Sequence, residues 1–116
     1  MTKGSSISEF FKSKKPIFSL EFFPPKNDAG GERILKTAGI LKPYNPDFVS
    51  ITYGAGGSTR ETTMQYARIL KNDFGFEVMP HLTCVGHTQD ELLKILEDFS
   101  EEGFCNIMAL RGDPPQ

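Results

Sequence analysis

The sequence predicts an α/β fold, and more specifically a partial (β/α)8 TIM barrel built on a parallel sheet. Apolar runs of strand length alternate along the chain with amphipathic helical patterns, which is typical of α/β folds. The predicted strands recur about every 30 residues, the size of one β/α unit. Each strand also ends in a short polar motif, and the carboxyl ends of parallel strands open on the face where barrel enzymes build their sites.

The number of units predicts about half of a barrel. Four strands, three intervening helices and a short N-terminal helix are predicted within 116 residues, whereas a complete barrel needs roughly 200 residues or more. We therefore divide the chain into a polar N-terminal segment, 1–15, and the first half of a barrel domain, 16–116, truncated after strand four. A small complete doubly wound domain is the alternative, although such a domain normally ends on a covering helix.

The first predicted elements are a short helix and a strand. The residues from Ser6 to Glu9 have the form of a capping box, which predicts a helix from about Ile7 to Lys12. Strand one is predicted from Ile17 to Phe22, and Pro24-Pro25 ends it.

Three longer helices are predicted from apolar stripes at helical spacing. The first helix is predicted from Gly30 to about Lys42, and capping boxes starting at Ser58 and Thr88 predict where the other two begin. Gly75 is predicted to cap the second helix and Gly103 closes the third. The stripes are Ile34, Ala38 and Leu41, then Met64, Ala67, Leu70 and Phe74, then Leu92, Ile95, Leu96 and Phe99. Between the helices lie strands two, three and four, predicted at Phe48–Thr52, Phe76–Thr83 and Asn106–Leu110.

Composition excludes several classes of partner. Hydrophobic residues make up 38% of the chain, and the formal net charge is −2. The chain therefore lacks the basic character of a nucleic-acid-binding surface. It also contains no apolar run of the ~20 residues that cross a membrane. No secretory signal pattern precedes the first strand, which predicts a cytoplasmic protein. Cys84 and Cys105 fall at opposite ends of neighbouring strands and lack metal-ligand spacing, which predicts reduced thiols and no metal site.

A carboxylate within the first strand is the first candidate catalytic group. Glu21 lies between Leu20 and Phe22, and carboxylates are rare in apolar strands unless they are paired. A salt-bridged strand-end residue and a functional acid are equally compatible with this position. Desolvation by the neighbouring side chains would raise the pKa of Glu21 and suit it to general acid catalysis near neutral pH.

Taken in order, four motifs resemble the opening strands of the methylenetetrahydrofolate reductase family, in its bacterial form. They are Ser-Leu-Glu-Phe-Phe-Pro-Pro from Ser19, Thr-Tyr-Gly-Ala from Thr52, Pro-His-Leu-Thr-Cys from Pro80 and Ala-Leu-Arg-Gly-Asp-Pro-Pro from Ala109. The resemblance implies a flavin-dependent barrel enzyme of one-carbon metabolism and methionine synthesis. Such an enzyme passes hydride from NADH or NADPH, through FAD, to 5,10-methylenetetrahydrofolate and releases 5-methyltetrahydrofolate. It also implies a homo-oligomer in the full-length form.

The resemblance implies a role for each motif. Glu21 matches the family's catalytic acid, and Asp113 lies near both flavin and folate, where its charge tunes hydride transfer. Contacts to FAD or nicotinamide are implied for Thr52, Tyr53, Ala55, His81, Arg111, Gly112 and Asp113.

Each implied cofactor contact also has a purely structural interpretation. The motif from Thr52 fits a tight turn before a helix N-cap. His81 fits a satisfied core histidine, and the Arg111–Asp113 motif fits the N-terminal clamp of a further helix. The other histidine, His87, falls in a polar turn and is expected to be merely exposed.

Two other functions are compatible with the sequence. The chain could be a non-catalytic remnant or an assembly fragment, or part of another flavin barrel such as a proline dehydrogenase. The order of the four motifs favours the reductase. We expect the 116-residue chain alone to be inactive, because much of the FAD and folate site would lie outside it.

Overall fold

A computed structural model of the chain describes residues 4–13, 15–53 and 57–114, with the side chains of 57–59 excepted. In chain order the elements are α1 Ile7–Phe10, β1 Ser19–Phe22, α2 Asp28–Leu41, a 3-10 turn Lys42–Tyr44, β2 Phe48–Ile51, α3 Gly57–Asn72, β3 Val78–Thr83, α4 Gln89–Glu101 and β4 Met108–Leu110. Within these ranges, no helix combines the length and the apolar character needed to span a membrane.

The four strands form one parallel sheet in the order β1-β2-β3-β4. Neighbours in space follow the order of the chain, so the described sheet has no reversal of strand order. A doubly wound sheet requires such a reversal, whereas consecutive β/α units of a barrel do not. The predicted α/β class and parallel sheet are confirmed, and the topology is that of a partial TIM barrel.

The three long helices cover one face of this sheet. Strand side chains alternate between faces, and the set that includes Phe22, Val49 and Ile51 packs with helix residues in one core cluster. Its helix members are Ile34, Ala38, Ala67, Leu70, Ile95 and Phe99. The predicted stripes are thus confirmed except at Leu96, which is 39% exposed. Of the four residues predicted for α4, only Leu92, Ile95 and Phe99 contact the core.

The opposite face carries the polar residues of the strands. In the register, Glu21 pairs with Ser50, and Ser50 pairs with Met79. His81 lies two residues beyond Met79 and therefore on the same face, where it pairs with Met108 of β4. The outer edges of β1 and β4 pair with no other described strand. We call this surface the open face.

Several predicted boundaries were wrong at the ends of elements. Helix α1 ends at Phe10, and Ser6 does not cap it because its hydroxyl bonds Ser8 Oγ instead, at 2.7 Å. Helix α2 begins at Asp28, two residues early, because the Asn27 side chain accepts the Gly30 amide. By contrast, Thr88 and Glu91 form the predicted capping box of α4. The box predicted at Ser58 involves side chains outside the described set.

Strands β1, β3 and β4 each begin two residues later than predicted, at Ser19, Val78 and Met108. Backbone contact with the neighbouring chain nevertheless starts earlier, since the Asp47 amide donates to the Phe18 carbonyl at 2.7 Å and the Val49 amide to the Glu77 carbonyl at 2.8 Å. Gly75 and Gly103 adopt φ values of +74° and +89°, as expected of helix C-caps.

A cluster that we call the N-terminal latch fixes residues 5–7 to the amino end of the sheet. Asn106 Oδ1 accepts the Ile7 amide at 2.8 Å, and Asn106 Nδ2 donates to the Ser5 carbonyl at 2.7 Å. The Glu77 carboxylate accepts the Ser5 amide and, at 3.3 Å, the same Asn106 Nδ2. One side-chain amide thus satisfies two backbone groups of the N-terminal segment, and Ile7 is buried beside it.

We predict that Asn106→Ala releases the N-terminal latch. The substitution removes one donor and one acceptor and leaves the Ile7 amide without its partner, a loss of about 1–3 kcal/mol of unfolding free energy. Urea unfolding measures the loss, and hydrogen exchange at Ile7 locates it. Gln65→Ala, which removes an exposed amide side chain from α3, serves as the control. Unchanged protection at Ile7 in the Asn106 variant would contradict the prediction.

Candidate active site

Glu21, Ser50 and His81 come together on the open face, and we call them the Glu21 cluster. The parallel pairing of β1 with β2 places Glu21 directly beside Ser50. His81 reaches the same point from β3, and its Nε2 lies 3.4 Å from Glu21 Oε1. The Ser50 hydroxyl donates to that same Oε1, also at 3.4 Å. Three adjacent strands thus contribute one polar side chain each to a single spot.

Glu21 is more exposed than its apolar neighbours suggested. Its side chain is 50% exposed, so Leu20 and Phe22 do not enclose it. The physical reason is strand alternation: Phe22 points into the helix-covered core, and Glu21 points to the open face. The carboxylate has an imidazole and a hydroxyl as partners, and both approach one oxygen. Its second oxygen, Oε2, has no such contact in the described structure.

His81 holds a buried polar atom that lacks a hydrogen bond. The residue is 9% exposed, yet its Nε2 has no hydrogen-bond partner among the described residues. The 3.4 Å approach to Glu21 is close enough for an ionic contact, but its geometry is not that of a hydrogen bond. Buried polar atoms are nearly always satisfied, so this nitrogen marks a place where a bound molecule could supply the missing partner.

Thr52 and Tyr53 follow β2, but their polar groups bond to different parts of the structure. The Thr52 amide extends the β1–β2 ladder by donating to the Phe22 carbonyl, and its own carbonyl accepts the Thr63 hydroxyl. The Tyr53 hydroxyl lies instead 2.8 Å from His87 Nε2. Tyr53 also lines a groove of about 810 Å³ between α3 and α4, so its side chain is grouped with the helices and not with the Glu21 cluster. Ala55 lies outside the described residues.

His87 is a functional candidate that the sequence did not single out. Its side chain is only 12% exposed, which makes the expectation of an exposed turn residue wrong. The ring meets Tyr53 edge-on, with centroids 5.8 Å apart, and Nδ1 lies 3.4 Å from Glu91 Oε2. Burial raises the pKa of Tyr53, while the hydrogen bond to His87 lowers the pKa of Glu91. The spacing of His87 and Glu91, four residues apart at a helix start, was the available signal.

Arg111, Gly112 and Asp113 follow β4 at the same end of the sheet. The β3–α4 turn runs alongside them, because the Cys84 and Val85 amides donate to the Leu110 and Arg111 carbonyls at 2.8 and 2.9 Å. Both charged side chains are exposed. The carboxyl end of the sheet therefore brings the Glu21 cluster and this motif to one rim, with both charges accessible.

We predict that Gly112→Ala distorts this rim. Gly112 has a φ of +92°, and a Cβ there would overlap the Thr83 Cγ2 and Val85 Cγ1 methyl groups. Gly86→Ala is a matched control, because its φ is +81° but a Cβ would meet nothing within 4 Å. Both variants lose the ~1 kcal/mol or more that an L-residue costs in this region. Urea unfolding should show a larger loss at Gly112, and equal losses would contradict the predicted overlap.

Comparison with known proteins assigns a family to this arrangement. The sequence model of the family described as methylenetetrahydrofolate reductase matches residues 6–116. The chain is 43% identical over 109 residues to methylenetetrahydrofolate reductase (NADH) 1 of Arabidopsis thaliana, covering 94% of this chain and 18% of that protein. It is 40% identical over 97 residues to 5,10-methylenetetrahydrofolate reductase of Escherichia coli strain K12, covering 84% and 33%.

A fungal relative gives the same result: the chain is 36% identical over 102 residues to methylenetetrahydrofolate reductase 1 of Schizosaccharomyces pombe, covering 87% and 17%. The chain spans at most a third of the length of these curated relatives. The family match covers nearly every residue described above, including the Glu21 cluster and the motif after β4. The chain therefore belongs to the methylenetetrahydrofolate reductase family.

Proposed function

We propose that this chain supplies part of the active site of a flavin-dependent methylenetetrahydrofolate reductase. The enzyme would reduce 5,10-methylenetetrahydrofolate to 5-methyltetrahydrofolate with NADH or NADPH, as a cytoplasmic homo-oligomer. The observation that carries the proposal is the Glu21 cluster, in which an accessible carboxylate and a buried, unsatisfied imidazole nitrogen share one open sheet face. This is the combination that a proton-assisted reduction of a bound heterocycle needs.

The residues of the open face fit FAD as the resident cofactor. A flavin ring carries acceptor and donor atoms along its edge, and His81 Nε2 is a buried atom that lacks such a partner. Thr52, Tyr53, Ala55, His81, Arg111, Gly112 and Asp113 would hold the cofactor, with Arg111 offering an exposed cation to its phosphates. When bound, FAD supplies hydride transfer between nicotinamide and folate.

Glu21 is proposed as the general acid. The five-membered ring of the folate opens only when its departing nitrogen receives a proton, and a carboxylic acid on the open face can donate one. The Ser50 hydroxyl donates to Oε1, which occupies that oxygen as an acceptor. The acidic proton of the neutral form is therefore carried by Oε2, the oxygen without a contact among the described residues. Ser50 thus orients the acid and leaves Oε2 available to carry the proton.

Asp113 is proposed to act by charge. It is exposed after β4 and lies beyond the Gly112 turn, at the same end of the sheet as the Glu21 cluster. A carboxylate near the flavin opposes the negative charge that reduction adds to the ring, and it can accept a hydrogen bond from the pterin. Its role is electrostatic positioning of the substrate and cofactor, and the proton remains the task of Glu21.

We predict that Glu21→Gln separates the two half-reactions in the complete enzyme that contains this chain. Reduction of the flavin by nicotinamide should be unchanged, because it needs no proton from Glu21. Reoxidation by methylenetetrahydrofolate should slow by ~10²–10⁴-fold, the usual contribution of a general acid. Stopped-flow absorbance of the flavin measures both rates. Glu32→Gln, an exposed substitution on α2, is the control, and equal slowing of both half-reactions would defeat the assignment.

We predict that Asp113→Asn raises the flavin midpoint potential without releasing the flavin. Removing a nearby negative charge stabilises the anionic reduced ring relative to the oxidised ring. Spectroelectrochemistry measures the potential. Asp73→Asn removes the same charge from the exposed turn after α3, at the other end of the sheet, and should leave the potential unchanged. A potential that does not respond to Asp113→Asn would place this carboxylate too far from the flavin to matter.

The non-catalytic alternative makes a different prediction for the same experiments. A remnant or assembly fragment would bind no FAD in any context, and Glu21→Gln would then alter nothing but local stability. The proposed function requires FAD binding and nicotinamide oxidation once the remaining β/α units of a family member are present.

A further inference from the structure

Three residues from three different segments form a hydrogen-bonded chain at the rim of the sheet, and we call it the Tyr53 bridge. Tyr53 follows β2, His87 lies in the turn after β3, and Glu91 belongs to the first turn of α4. The Tyr53 hydroxyl is 2.8 Å from His87 Nε2, and His87 Nδ1 is 3.4 Å from Glu91 Oε2. The proposed chemistry does not use His87 or Glu91.

The far end of the bridge is fixed to the helix. The Glu91 amide donates to the Thr88 hydroxyl at 3.1 Å, and the Thr88 amide donates to Glu91 Oε1 at 3.4 Å. One carboxylate oxygen therefore closes the capping box, while the other, Oε2, faces His87. The helix start holds Glu91 in place, and Glu91 in turn holds the imidazole.

The chemistry of the partners decides the tautomer of His87. An ionised carboxylate can only accept hydrogen bonds, so the neutral imidazole must carry its hydrogen on Nδ1. Nε2 is then an acceptor, and the Tyr53 hydroxyl must be the donor. The bridge consequently has one direction, from Tyr53 through His87 to Glu91. The side chain of His87 is 12% exposed, so water competes little for either nitrogen.

We propose that His87 is a positioning residue, which accepts a hydrogen bond from the Tyr53 hydroxyl at Nε2 and thereby ties the end of β2 at Tyr53 to the turn before α4, at the rim of the proposed active site. The β2 loop carries Thr52 and Tyr53, and the β3–α4 turn contacts the Arg111 backbone through Val85. Both loops flank the proposed flavin site, so the effect on flavin binding rests on the proposed function. The tautomer and the linkage do not depend on it.

Nitrogen-15 NMR of the full chain tests the tautomer directly. The chain has only two histidines, so His81 serves as an internal comparison. We expect neutral His87 to be protonated at Nδ1, and Glu91→Gln to shift it toward the Nε2-protonated form. Asp90→Asn removes the same charge from the same helical turn and should leave the tautomer unchanged. An Nε2-protonated His87 in the unsubstituted chain would overturn the proposal.

A double-mutant cycle tests the linkage. Tyr53→Phe removes only the hydroxyl, and His87→Ala removes its acceptor. Each should raise the unfolding equilibrium constant about 2- to 10-fold, the worth of one hydrogen bond. Because both break the same bond, the double variant should be no worse than the more damaging single variant. Additive effects would show that the two residues act independently and would overturn the proposed link.

Titration of the complete enzyme with FAD separates this inference from the proposed function. If both are correct, Tyr53→Phe and His87→Ala each weaken FAD binding by about 2- to 10-fold, and Asp90→Asn does not. Failure of the unsubstituted enzyme to bind FAD would refute the proposed function, and the NMR and unfolding measurements would still decide the bridge. Normal FAD affinity in both variants, with the tautomer confirmed, would refute the influence of the bridge on the site.

Discussion

The register of the parallel pairing between β1, β2 and β3 is the constraint on which the site depends. Side chains alternate from face to face along a strand, so a slip of one residue would move Glu21 into the helix-covered core and Phe22 onto the open face. The observed register pairs Glu21 with Ser50 and Phe22 with Ile51. Core packing enforces it, because Phe22 and Ile51 belong to the buried cluster. Packing on the apolar face thus sets the register that places Glu21 beside Ser50 on the other face.

The two faces place different demands on the same strands. Val49, Ile51 and Val78 are fully buried against the helices, which stabilises the sheet by excluding water from apolar surface. The other face keeps polar groups that would be costly in such a core: a half-exposed carboxylate, a hydroxyl and an imidazole with an unsatisfied nitrogen. The apolar core thus lies on one side of the sheet, and the polar residues of the candidate site lie on the other.

Much of this arrangement could be predicted from the sequence, because it follows from local periodicity. The alternation of strands and helical stripes gave the fold class, and the capping box at Thr88 located the start of α4. The contacts that the sequence missed are between residues far apart in the chain. The Asn27 cap is a contact within the local sequence, whereas the burial of His87 depends on Tyr53, which is 34 residues away. The exposure of Glu21 depends on which face of the sheet the helices cover. The apolar residues next to Glu21 in the sequence do not predict that.

The N-terminal latch has a consequence for the order of folding. Asn106 bonds the Ser5 carbonyl across a separation of 101 residues, and closing so long a loop is entropically costly unless the intervening sheet already holds the two ends together. Its second anchor, Glu77, precedes β3, so the latch needs β3 and the approach to β4 to be in place first. Native contacts of high sequence separation that add to a formed sheet are late events. We therefore expect residues 5–7 to become ordered only after the strands have assembled.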